Sequence, residues 1–338
     1  MNITTIGLDI AKSIFHLYAV NHVGRFIKKK QLKRHQLLNH LANMESSLVV
    51  MEACGSANYW AREIAALGHE VKLISPQYVK PYVKGNKNDY NDAEAIAEAA
   101  QRPNMRFVPI KSVEQQDVQN FHRQRERIKK ERTALVNQIR GLLAEYGIVI
   151  NKGIAAVRSD LPRILEDADN GLNALSRELF AELQDELLSI DERFKHCEHR
   201  IKVMNKGNAV CQRLDGILGI GPITASATYA AAGDGKEFNN GRHFSAWLGL
   251  VPGQHSSGGK SVLLGISKRG NRYLRTLYIH GARAVLRHSA TKQDRFSLWA
   301  QQVLARRGHN KACVAVANKL ARMAWVIMAR GESYRVPV

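Results

Sequence analysis

Two β-branched apolar runs open the chain, ITTIGLDI at 3–10 and SIFHLYAV at 13–20, parted by the Ala11-Lys12 break. They predict a β-hairpin. The basic stretch RFIKKKQLKRHQLLNHL then passes into a helix with Leu37, Leu38 and Leu41 on one side, and SLVVME at 47–52 reads as a short buried strand. A helix over 57–67, a strand over 70–74 and helices near 76–84 and 89–101 follow. Strands running into alternating helices and strands predict an α/β layer fold over residues 1–110.

From Val113 to about Tyr146 no proline or turn cluster interrupts the chain. Phe121, Ile128, Leu135 and Leu142 recur every seven residues with Ile139 between them, so a long helix with one apolar seam is expected. Residues 172–205 repeat the signal: Phe180, Leu183, Leu187, Ile190, Phe194, Cys197, Ile201 and Met204 step by alternating threes and fours. This predicts a connector over 111–206 that forms an antiparallel coiled-coil hairpin or a dimer stalk. Two core helices of a globular bundle are the plainer alternative. Past Gln212 the texture becomes glycine-punctuated short helices, ending in a helical region from about Arg272 to Arg330 and predicting a mainly α domain over 207–338.

Composition narrows the partners. The chain has 338 residues, more than one domain usually holds, and Lys plus Arg outnumber Asp plus Glu by 50 to 30, a formal charge of +20. A polyanion is the simplest partner for such an excess. No run of about 18 apolar residues appears and MNITTIGLDIAK lacks a cleavable apolar signal, so a cytoplasmic protein without a membrane partner is expected. The four cysteines, Cys54, Cys197, Cys211 and Cys313, form no CxxC pair, which argues against a zinc knuckle and a disulfide framework. Between Glu237 and Asp294 there is no acidic residue, while Lys260, Lys268, Arg269, Arg272 and Arg275 fall there. Ordinary solvated faces mix signs, so this segment is read as a nucleic-acid contact.

Four carboxylates stand out. Asp9 lies inside the first strand, where an unpaired carboxylate is costly unless it binds a metal. Glu52 closes the strand VVME ahead of a turn, at the carboxyl edge where α/β folds place their sites. In NKNDYNDAEAIAEA, Asp89 and Asp92 stand three apart at a helix start and so share one face. Oxygen donors without Cys or clustered His select hard cations, Mg²⁺ or alternatively Mn²⁺. Two such ions about 4 Å apart serve phosphoryl transfer. The plainer readings are a helix cap for Asp89, a dipole partner for Asp92, and a lone salt bridge for Asp9 or Glu52.

Two glycine-rich signals lie in the C-terminal part. The run Ile217-Leu-Gly-Ile-Gly-Pro-Ile-Thr-Ala has the form of a helix-hairpin-helix element, whose glycines, here Gly219 and Gly221, let the backbone approach a phosphate; a plain helix–helix turn is the alternative. In GLVPGQHSSGGKS, small residues surround Ser256 and Ser257. Either hydroxyl would then sit exposed on a mobile loop, with Lys260 nearby to hold a phosphate, though such a loop also occurs without chemistry.

GLDIAK with Asp9, MEACGSANYW with Glu52, GNKNDYNDAEAI with Asp89 and Asp92, GILGIGP, and WLGLVPGQHSSGGKSVLLGISKRGN together resemble the recombinases of the insertion-sequence one-ten family, the guide-RNA-directed DEDD transposases. The resemblance spans nearly the whole chain in the family's order. It implies an RNase H-like (RuvC-like) domain holding Mg²⁺ on Asp9, Glu52, Asp89 and Asp92, a coiled-coil connector used in dimerisation, and a C-terminal transposase domain with a nucleophilic serine. That serine lies five residues after the proline of the G-L-x-P turn, which is Ser257 after Pro252, with Ser256 adjoining it. It would attack double-stranded DNA at the element ends and target to give a phosphoserine link, with the acidic site supplied by another protomer. The implied partners are a structured guide RNA and a homodimer pairing to a tetramer, in a bacterial, nucleoid-associated setting. Two other readings remain: a metal-dependent nuclease for branched DNA with no covalent step, and a dimeric coiled-coil scaffold that packages RNA without chemistry.

Overall fold

Six strands make the N-terminal sheet: β1 (Thr5–Ile10), β2 (Ile14–Val20), β3 (Phe26–Lys33), β4 (Leu48–Glu52), β5 (Glu70–Ile74) and β6 (Phe107–Val108), in the order β3-β2-β1-β4-β5-β6. The computed structural model describes residues 3–85 and 88–335. They form two compact units, the first ending at Ser112 and the second beginning at Val113. In the first, β1 pairs antiparallel with β2 and parallel with β4, and β4 pairs parallel with β5.

Alternation along the strands sorts residues onto two faces. Ile6, Leu8 and Ile10 join Phe15 and Leu17 on the face covered by α1 (Leu37–Ala42) and α2 (Ala57–Ala66), through Leu37, Leu41, Trp60 and Ile64. The opposite face carries Val50 and Ile74. Val79 of α3 (Pro76–Val79) and Ala95, Ile96 and Ala99 of α4 (Asp89–Ala100) close over it. Each face thus has its own apolar layer, and the sheet lies between helices.

The structure corrects the reading of the basic stretch after residue 24. Instead of leading straight into a helix, Phe26–Lys33 forms β3, paired with β2 from Ile14–Lys33 to Val20–Phe26. Only Leu32 of this strand is buried, so the alternating apolar signal that marks a half-buried strand is missing. Its lysines instead blunt a free sheet edge. The two-residue β6 was not anticipated either; it pairs with β5 at Leu73–Val108 and Ile74–Phe107.

The second unit begins with α5 (Val113–Ala144), α6 (Ile154–Glu166) and α7 (Ala174–Gly207). Helices α5 and α7 run antiparallel: Arg125 meets Glu198 at 2.7 Å, Arg132 meets Asp191 at 3.3 Å, and Tyr146 sits against Phe180. Ile128, Leu135 and Ile139 interlock with Leu187, Ile190 and Ile201 along the predicted seam. Helix α6 had no counterpart in the sequence reading. It adds Val157 and Leu161 to this core, and its Arg158 holds the buried Asp191 together with Arg132.

A helical core follows, built by α8 (Ala209–Asp215), α9 (Pro222–Ala232) and α10 (Gly241–Trp247). Next comes a hairpin of β7 (Pro252–Ser257) and β8 (Lys260–Ile266). Helices α11 (Arg272–Ser289), α12 (Arg295–Arg307) and α13 (His309–Arg330) complete the unit. Phe244, Tyr278, Phe296 and Leu320 are wholly enclosed. By length and composition α13 would suffice to cross a membrane. Its apolar side, Val316, Leu320 and Ala324, is however buried in this core, and Lys311, Lys319 and Arg322 occupy its other side.

The serine segment departs from the mobile loop that its composition suggested. Ser256 pairs with Ser261 and Ser257 with Lys260 in an antiparallel ladder. Gly258 and Gly259, at φ 57° and 77°, provide the two positive-φ positions of a tight hairpin turn. Alternation again gives no warning, because Val262, Leu263 and Leu264 are consecutive apolar residues and all remain exposed, at 52%, 67% and 57%. Cys197, Cys211 and Cys313 are free and buried; Cys54 is free and exposed.

Candidate active site

In register terms Asp9 and Glu52 are neighbours. The parallel β1–β4 ladder runs to Leu8–Met51, and the next position on each strand is the carboxylate. Since Leu8 and Met51 fill the α1/α2 core, Asp9 and Glu52 belong to the opposite face, the one that α4 covers. Helix α4 starts at that end. Asn88 caps it, its side chain accepting from the Tyr90 N–H at 2.9 Å, so the cap suggested for Asp89 is taken by its neighbour. Asp89 and Asp92 both lie in the first turn, where the helix dipole favours negative charge. Asn86 and Lys87 of the same motif lie outside the described residues.

Gly7 explains how α4 comes so close. A Cβ there would stand 2.1 Å from the Ala93 carbonyl oxygen and 2.7 Å from the Ala97 nitrogen. Only a residue without a side chain lets the alanine face of α4 lie directly on β1. Because Gly7 and Asp9 are two apart on one strand, the same contact brings the first turn of α4 toward Asp9.

The carboxylates act on one another. Burial holds Asp9 above the usual aspartate range, and the charges of Asp92 and Asp89 push it further, against a smaller opposing effect from His16. Glu52 is raised by burial first, then by Asp9 and Asp92. Among the described residues no three His, Cys, Asp or Glu side chains are gathered tightly enough to enclose an ion. The arrangement is therefore an open field of negative charge at the strand ends. Its donors are all carboxylate oxygens, two of them strained by like charge, and this set fits a hard divalent cation.

His16 is a site residue that the sequence reading missed. It faces Asp9 across the β1–β2 ladder, is 7% exposed, and places Nδ1 at 3.6 Å from Asp89 Oδ2. The Tyr90 ring packs edge-on against it, with centroids 4.7 Å apart. A usable signal did exist, because a hairpin that turns at residues 11–14 sets His16 opposite Asp9.

In the second unit, Ser257 and Lys260 flank the hairpin turn, both exposed. Ser256 Oγ accepts from Gln254 Nε2 at 2.6 Å, so the adjoining hydroxyl is engaged within the hairpin. Lys268, Arg269 and Arg272 are exposed along the strap and helix start that follow β8. Arg275 differs from them: its Nη1 donates to the Leu248 carbonyl at 2.9 Å and the Arg269 carbonyl at 3.3 Å, bracing the strap against the end of α10. The two predicted backbone glycines also part. Beside Gly219 the space is filled by Val285 and Gly281 of α11, whereas Gly221, just ahead of α9, faces open space.

A DEDD-type model described as a transposase matches residues 6–148, and a model described as the transposase IS116/IS110/IS902 family matches residues 211–297. The chain is 51% identical to a probable family 20 transposase of Pseudomonas aeruginosa, over 99% of each chain. It is 50% identical to the transposase for insertion sequence element IS1111A of Coxiella burnetii, over 99% of this chain and 92% of that one. It is also 40% identical to the transposase for insertion sequence element IS1328 of Yersinia enterocolitica, over 98% of this chain and 99% of that one.

Proposed function

Since this chain belongs to the IS116/IS110/IS902 family of insertion-sequence transposases, and so is a DNA recombinase, we propose that it cuts and rejoins DNA through a phosphoserine link made by Ser257. The observation that supports this reading is the mutual electrostatic influence of Asp9, Glu52 and Asp92 at the ends of β1 and β4 and the start of α4; the order of the six-stranded sheet is consistent with a domain of RNase H-like (RuvC-like) type. Asp9, Glu52, Asp89 and Asp92 would hold Mg²⁺, or Mn²⁺ in its place. A bound divalent ion would supply charge neutralisation at the phosphate under attack.

The remaining chemistry belongs to the chain itself. Ser257 Oγ forms a bond to phosphorus as the hydroxyl proton departs, one phosphodiester P–O bond breaks, and the released DNA oxygen takes up a proton. The link conserves the phosphoester, so the reverse attack by a different DNA hydroxyl joins new ends without ATP. Lys260, Lys268, Arg269 and Arg272 would hold neighbouring phosphates, and Gly221, which faces open space ahead of α9, would let the backbone approach that helix start in a helix-hairpin-helix-like role, with Gly219 serving the close packing of the turn on α11. Surfaces that read backbone and shape suit a protein whose target is chosen by pairing to a structured guide RNA. The exposed Leu175 and Leu188 of α7 and the apolar hairpin strand β8 favour assembly into homodimers that pair to tetramers. Residues 1–110, 111–206 and 207–338 would then serve as metal domain, dimerising connector and transposase domain, in a nucleoid-associated cytoplasmic protein.

Denaturing electrophoresis of reactions with labelled element-end DNA and co-purified RNA tests the reading. A covalent adduct is expected with the unaltered chain and with Ser256→Ala, and none with Ser257→Ala. Cleavage that survives Ser257→Ala but not Asp9→Asn would replace the proposal with a metal nuclease lacking a covalent step. Full activity in Asp9→Asn and Asp89→Asn would remove the metal role.

A further inference from the structure

At the root of the serine hairpin a groove of about 990 Å³ opens between α10, α12 and α13. Its lining includes Pro252, the first residue of β7, together with Arg242, Lys311, Lys319, Arg322 and Trp299. No acidic residue lines it. Among the described residues none of these four cations is paired with a carboxylate. Lys319 is held instead over aromatic rings, its Nζ 4.2 Å from the Trp299 centroid and 5.0 Å from that of Phe296. Burial and the nearby Arg295 and Arg322 depress its pKa, so an anion in the groove would relieve a repulsion that no ion-paired carboxylate offsets among the described residues.

We infer that this groove binds the phosphodiester backbone of a nucleic-acid strand, on the same strand path that reaches Ser257. The inference rests on the recombinase reading for what lies at the hairpin tip; the groove itself is argued from its own cations. Its volume lies at the top of the range of about 300–1,000 Å³ seen for small-ligand sites, but every charged side chain in its lining is a cation, which suits a run of phosphates better than a small metabolite of mixed polarity. Arg242, Lys311 and Arg322 are exposed donors suited to successive phosphates. Trp299 is partly buried and gives an apolar wall for a sugar edge. From Pro252 to Ser257 the strand advances about 3.3 Å per residue, which spans about five base-pair steps of a duplex at 3.4 Å each. The phosphates held in the groove would therefore flank the one at Ser257 without overlapping it.

Fluorescence anisotropy of the full-length protein, with a labelled DNA duplex and a labelled single-stranded RNA at several salt concentrations, tests this. The variants are Lys311→Gln/Arg322→Gln and, separately, Arg242→Gln, all at exposed positions. The double variant is expected to weaken binding about tenfold and to lower the salt slope by about 1.8 on DNA or about 1.4 on RNA, the release of two phosphate contacts. A change on DNA alone assigns the groove to DNA, and a change on RNA alone assigns it to RNA. Unchanged affinity and slope on both probes, while Lys260→Gln/Lys268→Gln still weakens binding, would overturn the groove and leave the recombinase reading standing. An unaltered chain that binds neither probe would overturn both. Preferential capture of phosphatidylglycerol vesicles would overturn the groove assignment as well.

Discussion

Asp9 and His16 stand opposite one another across the antiparallel β1–β2 ladder, with the buried His16 ring also 3.6 Å from Asp89. The histidine thus sits between two of the carboxylates proposed to hold the metal. Its charge opposes the upward push that burial, Asp92 and Asp89 exert on Asp9. Replacing His16 with Gln removes that opposition, so Asp9 should hold its proton to higher pH. The acid limb of the pH–cleavage profile is expected to move upward, with a loss of about tenfold at neutral pH, as for partners that orient a ligand group. An acid limb that stays in place would sink the role given to His16.

Asp9 and Glu52 should make the ion-free protein less stable at neutral pH than the same fold without their charges. Their folded-state pKa values lie above the ordinary 3.8 and 4.5, so the folded chain binds these protons more tightly than the unfolded chain does. Stability from this source is present below those ordinary values and is lost as pH rises through the raised folded-state ones. Asp9→Asn is therefore expected to raise the melting temperature by a few degrees at neutral pH without divalent ions. Adding Mg²⁺ should raise it in the unaltered chain and have little effect in the variant. Scanning calorimetry at matched pH reads both; an ion-free variant that melts lower would contradict the repulsion.

Gly7→Ala places a Cβ where Ala93 and Ala97 backbone atoms already stand. Backbone cannot swing aside as a flexible side chain can, so α4 must lift from β1. A cost of about 1–3 kcal/mol is expected, in the range of overpacked sites. Hydrogen exchange should locate the loss of protection in α4 and β1, and cleavage should fall more than the folded fraction does, because Asp89 and Asp92 ride on the displaced helix. Uniform loss of protection across both units would argue against this local mechanism.

Arg275 and Lys268 should separate by salt dependence. Lys268 is exposed, and Lys268→Gln is expected to lower the slope of log affinity against log salt on duplex DNA by about 0.9, one phosphate contact. Arg275 is engaged with the Leu248 and Arg269 carbonyls, so Arg275→Gln should leave the slope unchanged and increase hydrogen exchange in residues 267–271. Equal effects of the two variants on the slope would place Arg275 on the nucleic acid after all.

The long seams of α5 and α7 were legible because heptad spacing is a local property; Ile128, Leu135, Ile139, Leu187 and Ile190 pack as the spacing selected, while Val136 and Leu143 are buried beside them and the selected Leu142 is only half-buried. Strand β3 was not legible. Its pairing with β2 is a long-range hydrogen-bonded ladder, and a charged edge strand with one buried residue leaves no alternating trace. The serine hairpin was hidden for a related reason: its turn depends on two positive-φ glycines, while its exposed consecutive apolar residues resemble neither a strand face nor a helix face.

Within the candidate site, the chain order of Asp9, Glu52, Asp89 and Asp92, their residue types and the motifs around them came from the sequence alone, together with the family they identify. Which neighbours those carboxylates have was decided by the fold. Strand register puts Glu52 beside Asp9 and His16 across from it, and the bare surface of Gly7 lets α4 carry two more charges to the same end of the sheet. A sequence states which groups are available, but repulsion and burial depend on distance in space. Those distances exist only once the ladders and the helix contact have closed.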